Sequence, residues 1–278
     1  MAAADVALWG VDFTCAPGRR KPITVARGRL HGAVLRLEQM QALQSLQAFE
    51  ALLSEPGPWC GAFDFPFGLP REFVTSQALG ERADAVVTEL HRRCPDRMAF
   101  RALVDGWGNG RPAGQRLIHR ATDGAMPGIS STSPLQTRYV PVGFMFFEGF
   151  MRLVRAGVHC PGLSPGDLSR VALEGYPGLL AHELVGRRSY KNSPEPDRLI
   201  ARKDITDALE QGRTRLGLRL KLGHAQREAL VEDASGDRLD AALCLMQAAW
   251  AWRQPGQGLP AGMDPVEGWI TSAPTSAR

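Results

Sequence analysis

The sequence predicts an α/β protein with one mixed sheet flanked by helices. Three observations carry this expectation. Short apolar runs bounded by Gly and Pro occupy residues 6–38, as strands do. A segment of helical spacing then leads into a nearly unbroken apolar run at 59–65, the pattern of a strand buried on both faces. The last third of the chain returns to helical spacing.

Taken in order, residues 6–14, 22–28 and 32–38 read as strands. Pro17-Gly-Arg-Arg-Lys21 and Gly28-Arg-Leu-His-Gly32 are the breakers between them, and links this short make an antiparallel meander. Leu43, Leu46, Phe49, Leu52 and Leu53 predict a helix over 37–53, stopped by Pro56-Gly-Pro58. The 59–65 strand follows a helix and is expected to lie parallel to the first strand. A helix is expected over 80–93, then a Gly- and Arg-rich loop at 105–112 and a second long loop at 122–141. Residues 144–156 read as a helix and 169–176 as another strand. Helices are expected at about 178–186, 204–217, 224–232 and 236–253.

The 278 residues are 44% hydrophobic and 22% charged, an ordinary globular composition able to bury a core without disulfides. No stretch approaches the roughly 18 apolar residues of a membrane span. The Met-Ala-Ala-Ala-Asp start has no basic flank followed by a long apolar region, so a cytoplasmic location without membrane contact is expected. Five widely spaced cysteines form no C-x-x-C and are expected as buried, reduced thiols. Net charge is +4, but residues 187–227 hold eleven Lys/Arg against five Asp/Glu. A basic segment facing an acidic site suits a nucleic-acid backbone, DNA or RNA; a solvated helical surface has the same composition.

Acidic residues sit inside or at the edge of apolar runs at Asp12, Asp64 and Asp240. A carboxylate is costly to bury unless it is paired, hydrogen-bonded or bound to metal. Asp12 and Asp64 are expected near the carboxyl ends of adjacent central strands, where open α/β sheets place ligand sites. Asp240 heads the last long helix and shares a face with Asp237, three residues earlier. Asp237 serves equally well as a first-turn acid facing the helix dipole. Glu174 ends a strand as well. Gathered carboxylates favour Mg²⁺ or Mn²⁺, and two such ions about 4 Å apart can hydrolyse a phosphodiester. In that scheme Asp12 bridges both ions, while Asp64 and Asp240 each complete one.

This layout resembles the ribonuclease H-like superfamily: an acid on the first strand, one at the end of the fourth, and one on a late helix. Asp237-x-x-Asp240 is similar to the final-helix acids of RuvC-type Holliday-junction resolvases. More closely, Gly10-Val-Asp-Phe13, Phe63-Asp-Phe-Pro-Phe-Gly-Leu69, Glu174-Gly-Tyr-Pro177, Ser189-Tyr-Lys191, Asp237-Arg-Leu-Asp-Ala241 and Glu267-Gly-Trp-Ile270 resemble the bacterial family called domain of unknown function 429. Its members are described as predicted nucleases of ribonuclease H fold. The resemblance implies a ribonuclease H-like mixed five-stranded sheet flanked by helices. It implies one domain over 1–270. Within it the irregular, Gly-, Ser- and Pro-rich composition makes 71–145 a loop-rich insertion. The small polar residues 271–278 read as a flexible tail. The resemblance also implies a nuclease, a hydrolase of phosphodiester bonds, with Asp12, Asp64 and Asp240 as catalytic metal ligands. Glu174 and Asp237 are then additional acids with open roles.

Lys191, Arg120 and Arg138 are candidates for contacting a substrate phosphate, although surface solvation is the favoured account of any single one. Phe63, Phe65 and Phe67 read as core. There is no nucleophile elbow, Walker loop or dinucleotide fingerprint. Two other readings compete. A phosphotransferase of the actin and sugar-kinase type would require a second such subdomain and Gly-rich phosphate loops. A non-catalytic nucleic-acid or protein-interaction module would make the acids structural.

Overall fold

The computed structural model describes residues 6–125 and 128–275. Three strands open the chain, β1 (Ala7–Asp12), β2 (Ile23–His31) and β3 (Val34–Leu43), followed by α1 (Leu46–Leu53) and β4 (Trp59–Phe63). Four helices come next: α2 (Arg71–Ser76), α3 (Ala83–Arg93), α4 (Arg97–Asn109) and α5 (Val142–Arg155). The remainder is β5 (Val158–His159), β6 (Asp167–Glu174), α6 (Pro177–Val185), α7 (Pro196–Gln211), β7 (Arg219–Lys221), α8 (His224–Glu232) and α9 (Asp237–Arg253).

The sheet has seven strands in the order β5-β6-β4-β1-β2-β3-β7. The α/β class and mixed sheet match the expectation, but the count is seven rather than five. The extra strands β5 and β7 are two and three residues long, too short to leave a periodic signal. β1, β2 and β3 form the antiparallel meander, while β4 pairs parallel with β1 and β6 parallel with β4.

Two local expectations change. The chain turns at Gly32 and Ala33 alone, with Gly32 at φ +60 in a two-residue link between paired His31 and Val34. Gly28 therefore lies inside β2, at a register shift, and not in a breaker. Residues 37–43 remain strand because pairing with β2 outweighs their helical spacing. Ser45 then starts α1 by accepting a hydrogen bond from the Ala48 amide (3.1 Å).

Residues 71–145 are far less loop-rich than expected. α2, α3 and α4 fill the first half, and Gly106 and Gly108 lie within α4. The Asp96 side chain caps α4, accepting from the Met98 and Ala99 amides. The irregular segment shrinks to 110–141, of which 126–127 lie outside the described residues.

The expected tail at 271–278 is built into the core at its start. Thr271, Ser272 and Ala273 are buried, and the Thr271 amide donates to the Glu174 carbonyl (2.8 Å). Residues 276–278 of that expected tail lie outside the described residues.

Side chains alternate across the sheet. Trp9, Val11, Phe13, Trp59 and Phe63 face one core, shared with α1 and the 71–155 helices. Leu8, Ala26 and Cys60 face the other, shared with α6 to α9. α9 lies directly on β1: a Cβ at Gly10 would sit 2.1 Å from both the Ala241 carbonyl oxygen and the Leu245 nitrogen. The five cysteines are buried and free. Among the described residues no helix is long and apolar enough to cross a membrane.

Candidate metal centre

Alternation decides which acids meet. On β1 the even-numbered residues face α9, so Asp12 does as well. On β4 the same parity holds: Cys60 and Ala62 pack against the α9 side, and Asp64 follows in step. The Asp64 amide donates to the Val11 carbonyl (2.8 Å), which extends the β1–β4 pairing by one residue. α9 begins beneath them after Gly236, whose φ of +83 suits glycine. Its first turn carries Asp237 and Asp240. The result is that Asp12, Asp64 and Asp240 each offer a carboxylate oxygen, all within 4.8 Å of one another.

The cluster is buried and charged. Asp12 and Asp240 are buried and Asp64 is half-buried. Asp240 accepts from the Tyr190 hydroxyl (2.6 Å) and is ion-paired with Lys191. Asp237 is ion-paired with Lys21 (2.6 Å). One oxygen of Asp12, Oδ2, is buried with no hydrogen-bond partner. Burial, together with Asp240, Asp64 and Asp237, pushes the Asp12 carboxyl well above its usual range. Burial raises Asp240 also, against the pull of Lys191. Asp64 is pushed up to about 7, mainly by burial, with Lys191 opposing and Asp240 and Glu174 reinforcing the rise.

Lys191 is held in place from α7. Arg202, buried, donates to the Tyr190 carbonyl (2.8 Å), and Arg198 donates to the Lys191 carbonyl. Its ammonium sits beside the Tyr190 ring, 5.3 Å from the centroid. Lys191 is therefore at the site, but as the partner of Asp240 rather than as an unpaired cation.

Glu174 does not join the cluster. On β6 the odd residues Val171 and Leu173 face α9, so Glu174 points to the opposite side of the sheet. There its carboxylate takes two hydrogen bonds from Arg120 (2.6 and 2.8 Å) and one from the Phe67 amide (2.9 Å). Arg120 is buried and also bound to Asp123 (2.9 Å) and to the Glu267 carbonyl (2.9 Å). Its donors are committed to the protein, which argues against a phosphate role. Arg138 is likewise engaged, with Asp105 at 2.8 and 3.2 Å, on an exposed stretch bordering a different cavity.

The basic 187–227 segment is mostly paired within the fold. Arg188 meets Asp204, Arg215 meets Glu183, Arg227 meets Asp207 and Glu210, and Arg202 is spent on backbone carbonyls. It does not form one free cationic face.

Sequence reading missed Lys21 and Tyr190. Lys21 was visible only as part of a breaker. Its place just before β2, whose Thr24 pairs with Asp12, is the signal that sets it at the same sheet edge. Tyr190 was visible within Ser189-Tyr-Lys191, but nothing in the spacing links it to Asp240.

The donor set suits a hard cation: clustered carboxylate oxygens, without sulfur or imidazole. Four carboxylates (Asp12, Asp64, Asp237, Asp240) face two ammonium groups (Lys21, Lys191), leaving two formal negative charges, which one divalent ion balances. No protein-family model, curated protein or solved structure matches this chain.

Proposed function

We propose that this chain is a divalent-metal-dependent nuclease with a ribonuclease H-like core. The observation that carries the reading is the convergence of Asp12, Asp64 and Asp240 at the carboxyl edge of two adjacent parallel strands, with one Asp12 oxygen buried and unpartnered. The β1–β2–β3 meander followed by parallel β4 and β6 supports the core assignment, as do acids on the first strand, after the fourth and on a late helix.

In this reading Asp12, Asp64 and Asp240 hold Mg²⁺ or Mn²⁺, which when bound supplies charge for the phosphate oxygens and lowers the pKa of water. Asp12 contributes the oxygen that no protein donor satisfies. Tyr190 fixes the orientation of Asp240 by its hydrogen bond. Lys191, between Asp240 and the cavity beside Asp64, is placed to contact a phosphate once the acids are otherwise neutralised. In the hydrolysis, the water oxygen bonds to phosphorus, the P–O3′ bond breaks, and a proton from the water ends on the 3′ oxygen. The charge count favours one ion held by the protein alone, with any second balanced by substrate phosphate.

The test is Asp12→Asn. The variant is expected to stay folded and to lose Mn²⁺-dependent cleavage of nucleic acid; unchanged cleavage would remove the mechanism. The Lys191–Asp240 and Lys21–Asp237 pairs favour a second reading, in which the acids are a structural charge network in a non-catalytic interaction module. That reading expects no rise in melting temperature with Mg²⁺ or Mn²⁺.

A further inference from the structure

The carboxylate cluster lies between two cavities along one edge of the sheet. On the β4–β6 side is a cavity of about 190 Å³, reached by Asp64 and Lys191. Phe65, Pro66, Val142, Met145 and Ile270 give it largely carbon walls, with the paired Arg120 and Glu174 also in its lining. On the β2–β3 side is a wider cleft of about 350 Å³, reached by Asp237. Arg20 and Arg238 line it with Asp233 and Gln41, beside the carbon of Pro22 and Met40. Asp12, on β1, stands between the two strand pairs, because β1 pairs with β4 on one side and β2 on the other.

Size and the pairing of their cations distinguish the two: Arg120 and Lys191 in the first are ion-paired. A cavity of about 150 Å³ lined by carbon accepts benzene. The 190 Å³ cavity therefore accommodates one nucleobase-sized ring system and excludes a duplex. Its rim carries Val140, 58% exposed, and next to it Tyr139, 99% exposed. Tyr139 also holds φ +60, a conformation uncommon for a residue with a side chain and often kept at functional sites. A fully exposed aromatic one residue along the chain from a lining residue of the cavity offers a stacking surface for a base. In the other cleft, Arg20 and Arg238 are exposed and, among the described residues, have no ion-pair partner, unlike the arginines of 187–227 noted above. Unpaired arginines in a cleft complement backbone phosphates.

We infer that the site takes the end of a single-stranded nucleic acid. The terminal nucleoside enters the carbon-walled cavity against Tyr139, the phosphate behind it lies at Asp12, Asp64 and Asp240, and the following phosphates run over Arg20 and Arg238. The inference rests on the nuclease reading and narrows it to strand ends.

A binding experiment with wild-type protein in Mg²⁺ tests this, using phosphorothioate linkages in the probe to resist cleavage. The probe is an internally labelled single-stranded oligonucleotide, as DNA and as RNA, in linear and in ligated circular form, followed by fluorescence anisotropy. The linear form of at least one is expected to bind about tenfold or more tightly than its circle. Adding Tyr139→Ala, which alters only an exposed side chain, is expected to cost the linear form about tenfold. Met145→Trp, which fills the cavity, is expected to do the same, and Arg238→Glu to weaken binding in a salt-dependent way. Equal affinity for linear and circular probes, no binding of either, or a mononucleotide competing as tightly as the oligonucleotide would each overturn the inference. The nuclease reading fails by a different result: wild-type protein that prefers linear ends yet cleaves nothing with Mn²⁺.

Discussion

At Asp12 a buried carboxylate oxygen faces Asp64 and Asp240 with no donor to satisfy it. Like charges this close hold protons that they would lose in water. Asp64 titrates near 7 in the fold, whereas an aspartate in an unfolded chain titrates near about 4. The native state therefore binds the proton more tightly, and its contribution to stability is full below about pH 4 and lost as pH rises through about 7. Asp12 and Asp240 shift in the same direction. Metal-free protein is expected to melt at lower temperature as pH is raised across that window. Mn²⁺ affinity is expected to increase over the same window, because the ion competes with those protons. Melting curves with chelator and with Mn²⁺ at a series of pH values check both. Lys191 offers a second test at this scale. Lys191→Ala leaves Asp240 with only the Tyr190 hydrogen bond and should cost about 2 kcal/mol without metal. Mn²⁺ should restore more stability to this variant than to wild type, as read by urea unfolding with and without the ion.

Two close contacts between elements set the site. α9 reaches β1 only because Gly10 has no side chain. Gly10→Ala must push the helix from the strand, at a cost of about 3 kcal/mol or more, and should weaken Mn²⁺ binding because Asp240 rides on that helix. Denaturant unfolding and a metal titration read the two effects separately. The second contact is the Arg120 knot, which ties the 120–124 turn to the end of β6 and to the 267–271 segment. Arg120→Met strands Glu174 and Asp123 as buried unpaired acids and is expected to cost about 3–5 kcal/mol. Arg120→Lys should not rescue it, since a single ammonium cannot reproduce the paired bonds to both carboxylates. Glu174 is thus explained by the register of β6: parity on the strand, not closeness in sequence, separates it from the carboxylate cluster. That distinction was available in the sequence, because Val171 and Leu173 differ in parity from Glu174, but only with the strand's facing known.

At the scale of the whole molecule, the sheet is covered by one core on each face and the acids open at its carboxyl edge. The three clustered acids come from β1, the end of β4 and the head of α9, so an ion held by them would link segments more than 200 residues apart in the chain. Binding to the native state alone stabilises it by about 2.7 kcal/mol at a hundredfold excess over Kd. A rise in melting temperature with Mn²⁺, absent in Asp12→Asn, is the expected outcome, and differential scanning fluorimetry reads it.

The sequence by itself determined the α/β class, the meander, the last helix and the identity of Asp12, Asp64 and Asp240. Each of these rests on local pattern: alternation, helical spacing, or a charge among apolar neighbours. Tertiary structure decided what local pattern cannot encode. It held 37–43 in strand through pairing with β2 and turned much of an apparent insertion loop into α2 and α4. It buried 271–273 against β6 and spent Arg120 on Glu174. It also brought Lys21 and Tyr190 to the acids. These outcomes depend on which groups meet after the chain closes, where pairing and burial outweigh the weak preferences of single residues.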